Sequence, residues 1–265
     1  MAYSLEFTKI KQFFSEIYDI LKDSNPDVIE LWYEISEIKY FTHFTKYEIK
    51  DFLNLFDFVS IQKGNYIEYI VINKILFITE CFKYLSYDIK NLAEILDYWG
   101  FESLVEEILI RNNYKTIKNF RFSDKSNFKL ETSQKRYEID VVGIYQNYIL
   151  LIDAKQWRRK DSYHAISKAA NLQFRRTFAL KNNPETFSNL IQQLLTLKVN
   201  IKKRLPFILI PIMVTLELNW IRINENSIPL VSIQNLNAFL QELTSNLKFF
   251  KTVSINRVFL QKLLI

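Results

Sequence analysis

The sequence predicts an α/β protein, with strands and helices around a buried sheet in its C-terminal part and a mostly helical N-terminal part. Three observations predict it. Leu5, Ile10, Phe13, Phe14, Ile17, Ile20 and Leu21 recur at helical spacing. Residues 136–145 and 148–156 are strand-like apolar runs on either side of Gln146-Asn147, and residues 207–216 form a continuous apolar run of the kind buried on both sheet faces. Charge also divides the chain: residues 1–100 hold ten Lys, no Arg and sixteen Asp or Glu, net −6, whereas residues 101–265 hold twenty-five basic and thirteen acidic residues, net +12. The expected organisation is an acidic helical accessory domain over residues 1–98 and a basic second domain over residues 99–265.

Within the first domain, Asn25-Pro26 is expected to open a second helix, with Pro at its first position. Thr45 and Glu48 have the spacing of a capping box for a third. Residues 57–73 fit a hairpin around Lys63-Gly64-Asn65. A helix followed by a hairpin is also the end of a winged helix, but the acidic charge is the wrong sign for phosphate, so a plain accessory domain is the preferred reading. Residues 86–113 read as helix with a break near Gly100. A strand is expected over residues 115–122, a polar loop or edge over 123–135, helices over 162–181 and 185–203 (the second opened by Pro184), a short strand over 229–233 and a helix over 235–247.

Scarcity excludes several function classes. The chain has 265 residues and three glycines, Gly64, Gly100 and Gly143, too few and too scattered for a dinucleotide fingerprint or a P-loop. The Gly-x-Ser-x-Gly elbow is absent. One cysteine, Cys81, excludes an intrachain disulfide and a cysteine-rich zinc site. His43 and His164 are far apart in sequence, which excludes a His-x-x-x-His pair. The longest apolar run, residues 207–216, is half of what a membrane helix needs and contains Pro211. No signal-peptide pattern opens the sequence, so a cytoplasmic protein is expected, with no membrane partner. Hydrolytic chemistry must then rest on Asp, Glu and Lys with a hard cation.

The residues able to carry it lie in Tyr137–Trp157. If Gln146-Asn147 is a tight turn, Asp140 falls opposite Asp153 and Glu138 opposite Lys155. Period-two alternation places Asp153 and Lys155 on one face, shared with Val142, Ile144, Ile149 and Leu151. Two opposed buried carboxylates repel, and a divalent cation removes the conflict: Mg²⁺ is commonly held by one or two carboxylates with water and substrate phosphate. Lys155 could then orient or deprotonate the attacking water, or stabilise charge on the phosphate. The spacing alone fits an Asp153–Lys155 surface pair at a strand end equally well.

Ile139-Asp140, twelve intervening residues, then Asp153-Ala154-Lys155 resembles the PD-(D/E)xK signature of the restriction-endonuclease-like nucleases. The pattern is similar to archaeal Holliday junction resolvase-like and type IV restriction endonuclease-like domains. Upstream, Gly100-Phe101-Glu102 through Leu109, then Asn113-Tyr114, resembles the family's first core helix and its exit into a strand. Coverage is roughly residues 98–247. The motif's proline is replaced by Ile139, and Asp153 stands where Glu is more frequent. The resemblance implies a restriction-endonuclease-like core, a mixed central sheet flanked by helices, and a metal-dependent nuclease. It implies that Asp140 and Asp153 bind Mg²⁺ or Mn²⁺, with the Ala154 carbonyl as a further ligand, that Lys155 serves the water, and that Glu102, in competition with Glu106 and Glu107, is an outer metal ligand. Glu138 would tune Lys155 or simply pair with it, and Gln156 could touch the phosphate.

The expected partner is nucleic acid, with DNA preferred. Arg158, Arg159 and Lys160 follow the motif directly, and Lys168, Arg175 and Arg176 are expected on one helical sector. Trp157 is expected as a buried aromatic and His164 as a structural or phosphate-contacting residue. Two alternatives remain open: a junction-specific resolvase acting as a homodimer, and a nuclease-fold nucleic-acid-binding or assembly protein with little turnover. A protein partner through residues 1–98 is a further expectation.

Overall fold

The computed structural model describes residues 2–65, 67–84, 89–123, 136–156, 163–195, 201–216 and 222–258. The chain divides into two compact units, Met1–Glu107 and Ile108–Ile265.

The first unit is organised by aromatic packing. Helix α1 (Ala2–Lys22) buries Phe13, Phe14, Ile17 and Leu21, a stripe at helical spacing. The Phe13 ring lies 5.1 Å from Phe52, 5.7 Å from Phe56 and 6.2 Å from Phe58, in edge-on and stacked arrangements of the kind aromatic pairs prefer. The expected helix at Asn25-Pro26 is absent. The Asn25 side chain instead accepts the Asp27 N–H at 3.0 Å, an Asx turn that needs no helix, and the chain enters strand β1 (Glu30–Glu34). The capping box forms as expected: Thr45 Oγ1 accepts the Glu48 N–H, Glu48 Oε2 accepts the Thr45 N–H at 2.8 Å, and α2 (Lys46–Leu53) follows. The hairpin is also present, as β2 (Val59–Lys63) and β3 (Glu68–Asn73). It is not isolated, because β1 pairs with the other edge of β3 to give the order β1-β3-β2.

Helix α3 (Lys74–Tyr84) opens on a fully buried lysine, whose ammonium donates to the Asn25 carbonyl at 2.7 Å. Burial pushes the Lys74 pKa down, against the pull of Asp97 and Asp27. After the short α4 (Ile89–Ala93), helix α5 (Tyr98–Arg111) begins before Gly100 and runs through it. The break therefore lies at residues 94–97, where Asp97 Oδ1 accepts the Gly100 N–H at 2.7 Å. A Cβ on Gly100 would sit 3.0 Å from both that oxygen and Leu96 Cβ, so glycine permits the tight start rather than interrupting the helix. The boundary between the two units falls inside α5.

In the second unit α5 ends at Arg111, Asn113 two residues on takes the left-handed region at φ 65°, and the chain passes into β4 (Lys115–Ser123). Strands β5 (Arg136–Tyr145), β6 (Tyr148–Lys155), β7 (Phe207–Thr215), β8 (Arg222–Ile223) and β9 (Pro229–Ser232) complete the order β4-β5-β6-β7-β9-β8. β10 (Val253–Ile255) pairs with the start of β7. β6, β7 and β9 are mutually parallel and the other pairings antiparallel, so the sheet is mixed. β7 is central and almost wholly buried, as its continuous apolar run predicts. Helices α6 (Tyr163–Lys181), α7 (Pro184–Leu194) and α8 (Ile233–Asn246) pack against the sheet.

Two boundaries and two short strands differ from expectation. α7 stops at Leu194 rather than 203, because its buried stripe of Phe187, Leu190, Ile191 and Leu194 ends there and Leu195 stays in the core in an extended conformation. Its N-terminus is set by Asn183, whose side chain accepts the Thr186 N–H, with Pro184 at the first turn. α8 starts at Ile233, at the expense of the preceding strand. β8 and β10, two and three residues long, are too short for an alternation pattern to show. Most of the expected polar loop, residues 124–135, lies outside the described residues.

One face of the β5–β6 hairpin carries Val142, Ile144, Ile149 and Leu151 into a core closed by α6 and α7. Phe187 anchors it, fully buried and 5.9 Å from Phe207. Phe187→Ala is expected to cost about 3–5 kcal/mol of unfolding free energy, read from urea denaturation with an unchanged slope. A loss below about 1 kcal/mol would contradict this packing.

Candidate active site

The register of the hairpin places the site. Val141 pairs with Ile152, Val142 with Leu151 and Tyr145 with Tyr148, around a turn whose first residue, Gln146, has φ 54°. The ladder stops at Val141↔Ile152, one residue before Asp140 and Asp153. Beyond it the pairing is side chain to backbone: Asp140 Oδ2 accepts the Ala154 N–H at 2.8 Å. Asp140 thus fixes the strand that carries Asp153 and Lys155.

Asp140 and Asp153 are buried, and the Lys155 ammonium bridges them, 3.4 Å from Asp140 Oδ2 and 3.3 Å from Asp153 Oδ1. Arg176 enters from α6, with Nη1 2.8 Å from Asp153 Oδ1 and 3.0 Å from Gln173 Oε1. Two carboxylates therefore face two cations, which is how like charges can share a buried site. Burial and the charge of Asp153 push the Asp140 carboxyl upward, against the opposing effects of Lys155, the Ala154 N–H and Arg176. The cluster lies at the end of the apolar hairpin face, next to α6, with the Lys155 side chain 23% exposed and that of Asp153 2%.

This arrangement can bind a hard cation through two carboxylate oxygens and hold the Lys155 side-chain nitrogen beside it. Among the described residues no group of three or more His, Cys, Asp or Glu side chains is arranged to hold a metal ion. The donor set on these strands is Asp140, Asp153 and the backbone carbonyl of Ala154. Three hard-oxygen donors with positions left for water and phosphate fit Mg²⁺ or Mn²⁺ and do not fit a closed zinc site.

The nuclease-related domain (NERD) family model matches residues 99–250, more than half of the chain and the stretch that carries this hairpin. The chain belongs to the NERD family. NERD belongs in turn to the restriction-endonuclease-like nuclease superfamily. No curated protein matches the chain. Among solved structures, protein VC1899 from Vibrio cholerae aligns with a TM-score of 0.34 at 13% identity, over 93% of this chain and 53% of that one. The chain therefore spans about half the length of that protein.

The other residues singled out in the sequence fall at several places in the NERD domain and around it. Glu102 is buried on α5, in the Met1–Glu107 unit. Arg158, Arg159, Lys160 and Trp157 lie outside the described residues. Glu138, expected opposite Lys155, instead pairs with Arg121 on β4 at 2.9 Å, because the β5–β6 ladder has ended by that point and the β4–β5 ladder has not.

Lys168 and Arg175 share an exposed groove of about 610 Å³ with His164, Leu172 and Glu225. Its far wall is fixed by Ser167, which donates to Glu225, and by Asn171, which donates to Glu225 at 3.0 Å and accepts from Asn224 at 2.9 Å. Arg176 turns away from that groove toward the sheet. At 100° per residue, a spacing of seven returns to the same helix face within about 20°, whereas eight overshoots to about 80°. The role of Arg176 at Asp153 and that of Gln173 were not anticipated. Their signal is the buried stripe Ile166, Ala170, Gln173, Thr177 and Leu180, in which two polar residues interrupt an apolar face next to an arginine.

Proposed function

We propose that the chain is a metal-dependent nuclease that hydrolyses phosphodiester bonds, with DNA as its substrate. The observation that carries this reading is the convergence of Asp140, Asp153 and Lys155 at the end of a buried hairpin inside the NERD domain. Asp140, Asp153 and the Ala154 carbonyl would hold Mg²⁺ or Mn²⁺, with Glu102 assigned as an outer ligand by resemblance alone. Bound there, the cation would lower the pKa of a coordinated water and offset charge on the phosphate. Asp140 locks the strand through the Ala154 N–H. Lys155, held by both carboxylates yet partly open to solvent, orients the attacking water and offsets the charge that develops on the phosphate oxygens.

The experiment is a cleavage panel of linear duplex, branched duplex, single-stranded DNA and RNA, each with Mg²⁺, Mn²⁺ and EDTA. Cleavage of DNA with either cation and none in chelator is expected. Full activity in EDTA would end the metal reading. Paired symmetric nicks confined to branched DNA would select the dimeric resolvase. Binding without turnover on every substrate would select the nuclease-fold binding protein.

Phosphate contacts are assigned to Lys168, Arg175 and, from the sequence alone, Arg158, Arg159 and Lys160. Changing Lys168 and Arg175 together to Gln is expected to weaken DNA binding regardless of sequence and to flatten the log K against log salt slope by roughly 0.9 per lost contact. An unchanged slope would remove both residues from the interface. The first unit carries a groove of about 800 Å³ lined by Glu16, Asp19, Asp23 and Glu37, whose sign favours a protein partner over nucleic acid.

A further inference from the structure

Arg176 holds one oxygen of Asp153, the carboxylate that a cation would also use. Its Nη1 lies 2.8 Å from Asp153 Oδ1, the atom that the Lys155 ammonium approaches at 3.3 Å, so that single oxygen already receives two positive groups. Gln173, fully buried, steadies the same Nη1 at 3.0 Å. The rest of the guanidinium is less well used. Among the described residues its Nε is buried with no hydrogen-bond partner, and so is Gln173 Nε2. A guanidinium presents five donors in a fixed fork, and one docked permanently on a carboxylate normally engages it through two. Arg176 engages Asp153 through one nitrogen and leaves a second buried donor unsatisfied, which is costly and makes the contact replaceable.

We propose that Arg176 is a displaceable counter-cation: it neutralises Asp153 while no divalent cation is bound, and a divalent cation bound by Asp140 and Asp153 competes with it for the Asp153 carboxylate. This rests on the reading of Asp153 as a metal ligand. It makes Arg176 a positioning residue that sets how readily the site loads.

The test is Mn²⁺ titration of the full chain without substrate, followed by electron paramagnetic resonance, for wild type, Arg176→Gln, Arg176→Lys and Asp153→Asn. Removing the competing charge is expected to tighten Mn²⁺ binding about ten- to a hundredfold in Arg176→Gln, the range spanned by a charge-assisted hydrogen bond. Arg176→Lys, which keeps the charge, is expected to stay near wild type. Equal or weaker binding by Arg176→Gln overturns the proposal. If Asp153→Asn binds Mn²⁺ as wild type does, the ligand assignment fails first, and the functional reading with it, whatever Arg176 does. An Arg176→Gln protein that folds only with Mn²⁺ present supports the proposal, because the ion then replaces the guanidinium. One that is unfolded with or without Mn²⁺ makes Arg176 a structural residue and overturns it.

Discussion

Asp153→Asn is expected to lower metal-dependent cleavage by at least about a thousandfold while the protein stays folded. The substitution keeps the side-chain volume and one acceptor oxygen but removes the charge that a hard cation requires. Loss of several kcal/mol of transition-state stabilisation, at 1.36 kcal/mol per factor of ten, gives that magnitude. Folding is less affected because two effects oppose each other. Arg176 and Lys155 lose an ionic partner, and the repulsion between Asp153 and Asp140 disappears. Cleavage rates beside a circular-dichroism melt check both halves. A folded variant with wild-type turnover would remove Asp153 from the chemistry.

Lys155→Ala has the next largest expected effect, a fall in turnover of about a hundred- to a thousandfold, the range for loss of a positioned acid, base or charge-stabilising group. The Lys155 ammonium is the partly solvated member of the cluster and touches both carboxylates, so no other described cation stands in the same place. Arg176 contacts Asp153 from α6. The apparent KM for DNA is expected to move far less than kcat, since phosphate positioning is assigned to Lys168 and Arg175. A variant with raised KM and unchanged kcat would make Lys155 a substrate-binding residue instead.

Much of this site was legible because its information is local. A two-residue turn with period-two strands determines which residues face each other, so counting from Gln146-Asn147 gives the Val141↔Ile152 register without any tertiary knowledge. The buried strand β7 was equally plain, since the apolar run 207–216, interrupted only by Pro211 and Thr215, fits a strand covered on both faces. A buried sheet with helices around it followed from those two segments and the helical runs between them, and its mixed character from the resemblance of the motif.

What was hidden depends on contacts between distant segments. β1 was lost because Asn25-Pro26 begins a turn as readily as a helix, and only pairing with β3, some forty residues on, makes Glu30–Glu34 a strand. Glu138 was assigned to Lys155 because extending the ladder is the simplest assumption. Its true partner, Arg121, sits on a strand whose register with β5 no turn specifies. Arg176 joins Lys168 and Arg175 on one sector only if spacings of seven and eight are treated alike, and the extra residue turns it to Asp153. Its neighbour Gln173 shows that the α6 stripe turned toward the sheet is polar next to Asp153. In each case the short-range pattern was ambiguous and a long-range partner decided it.

The central claim, that Asp140 and Asp153 form a divalent-cation site beside Lys155, is tested most directly by anomalous diffraction from crystals of the full chain soaked in Mn²⁺. The account predicts a Mn²⁺ peak coordinated by carboxylate oxygens of both Asp140 and Asp153, lost when Asp153 is changed to Asn. Mn²⁺ bound elsewhere, or a carboxylate pair still occupied only by Lys155 and Arg176 at saturating Mn²⁺, would contradict it.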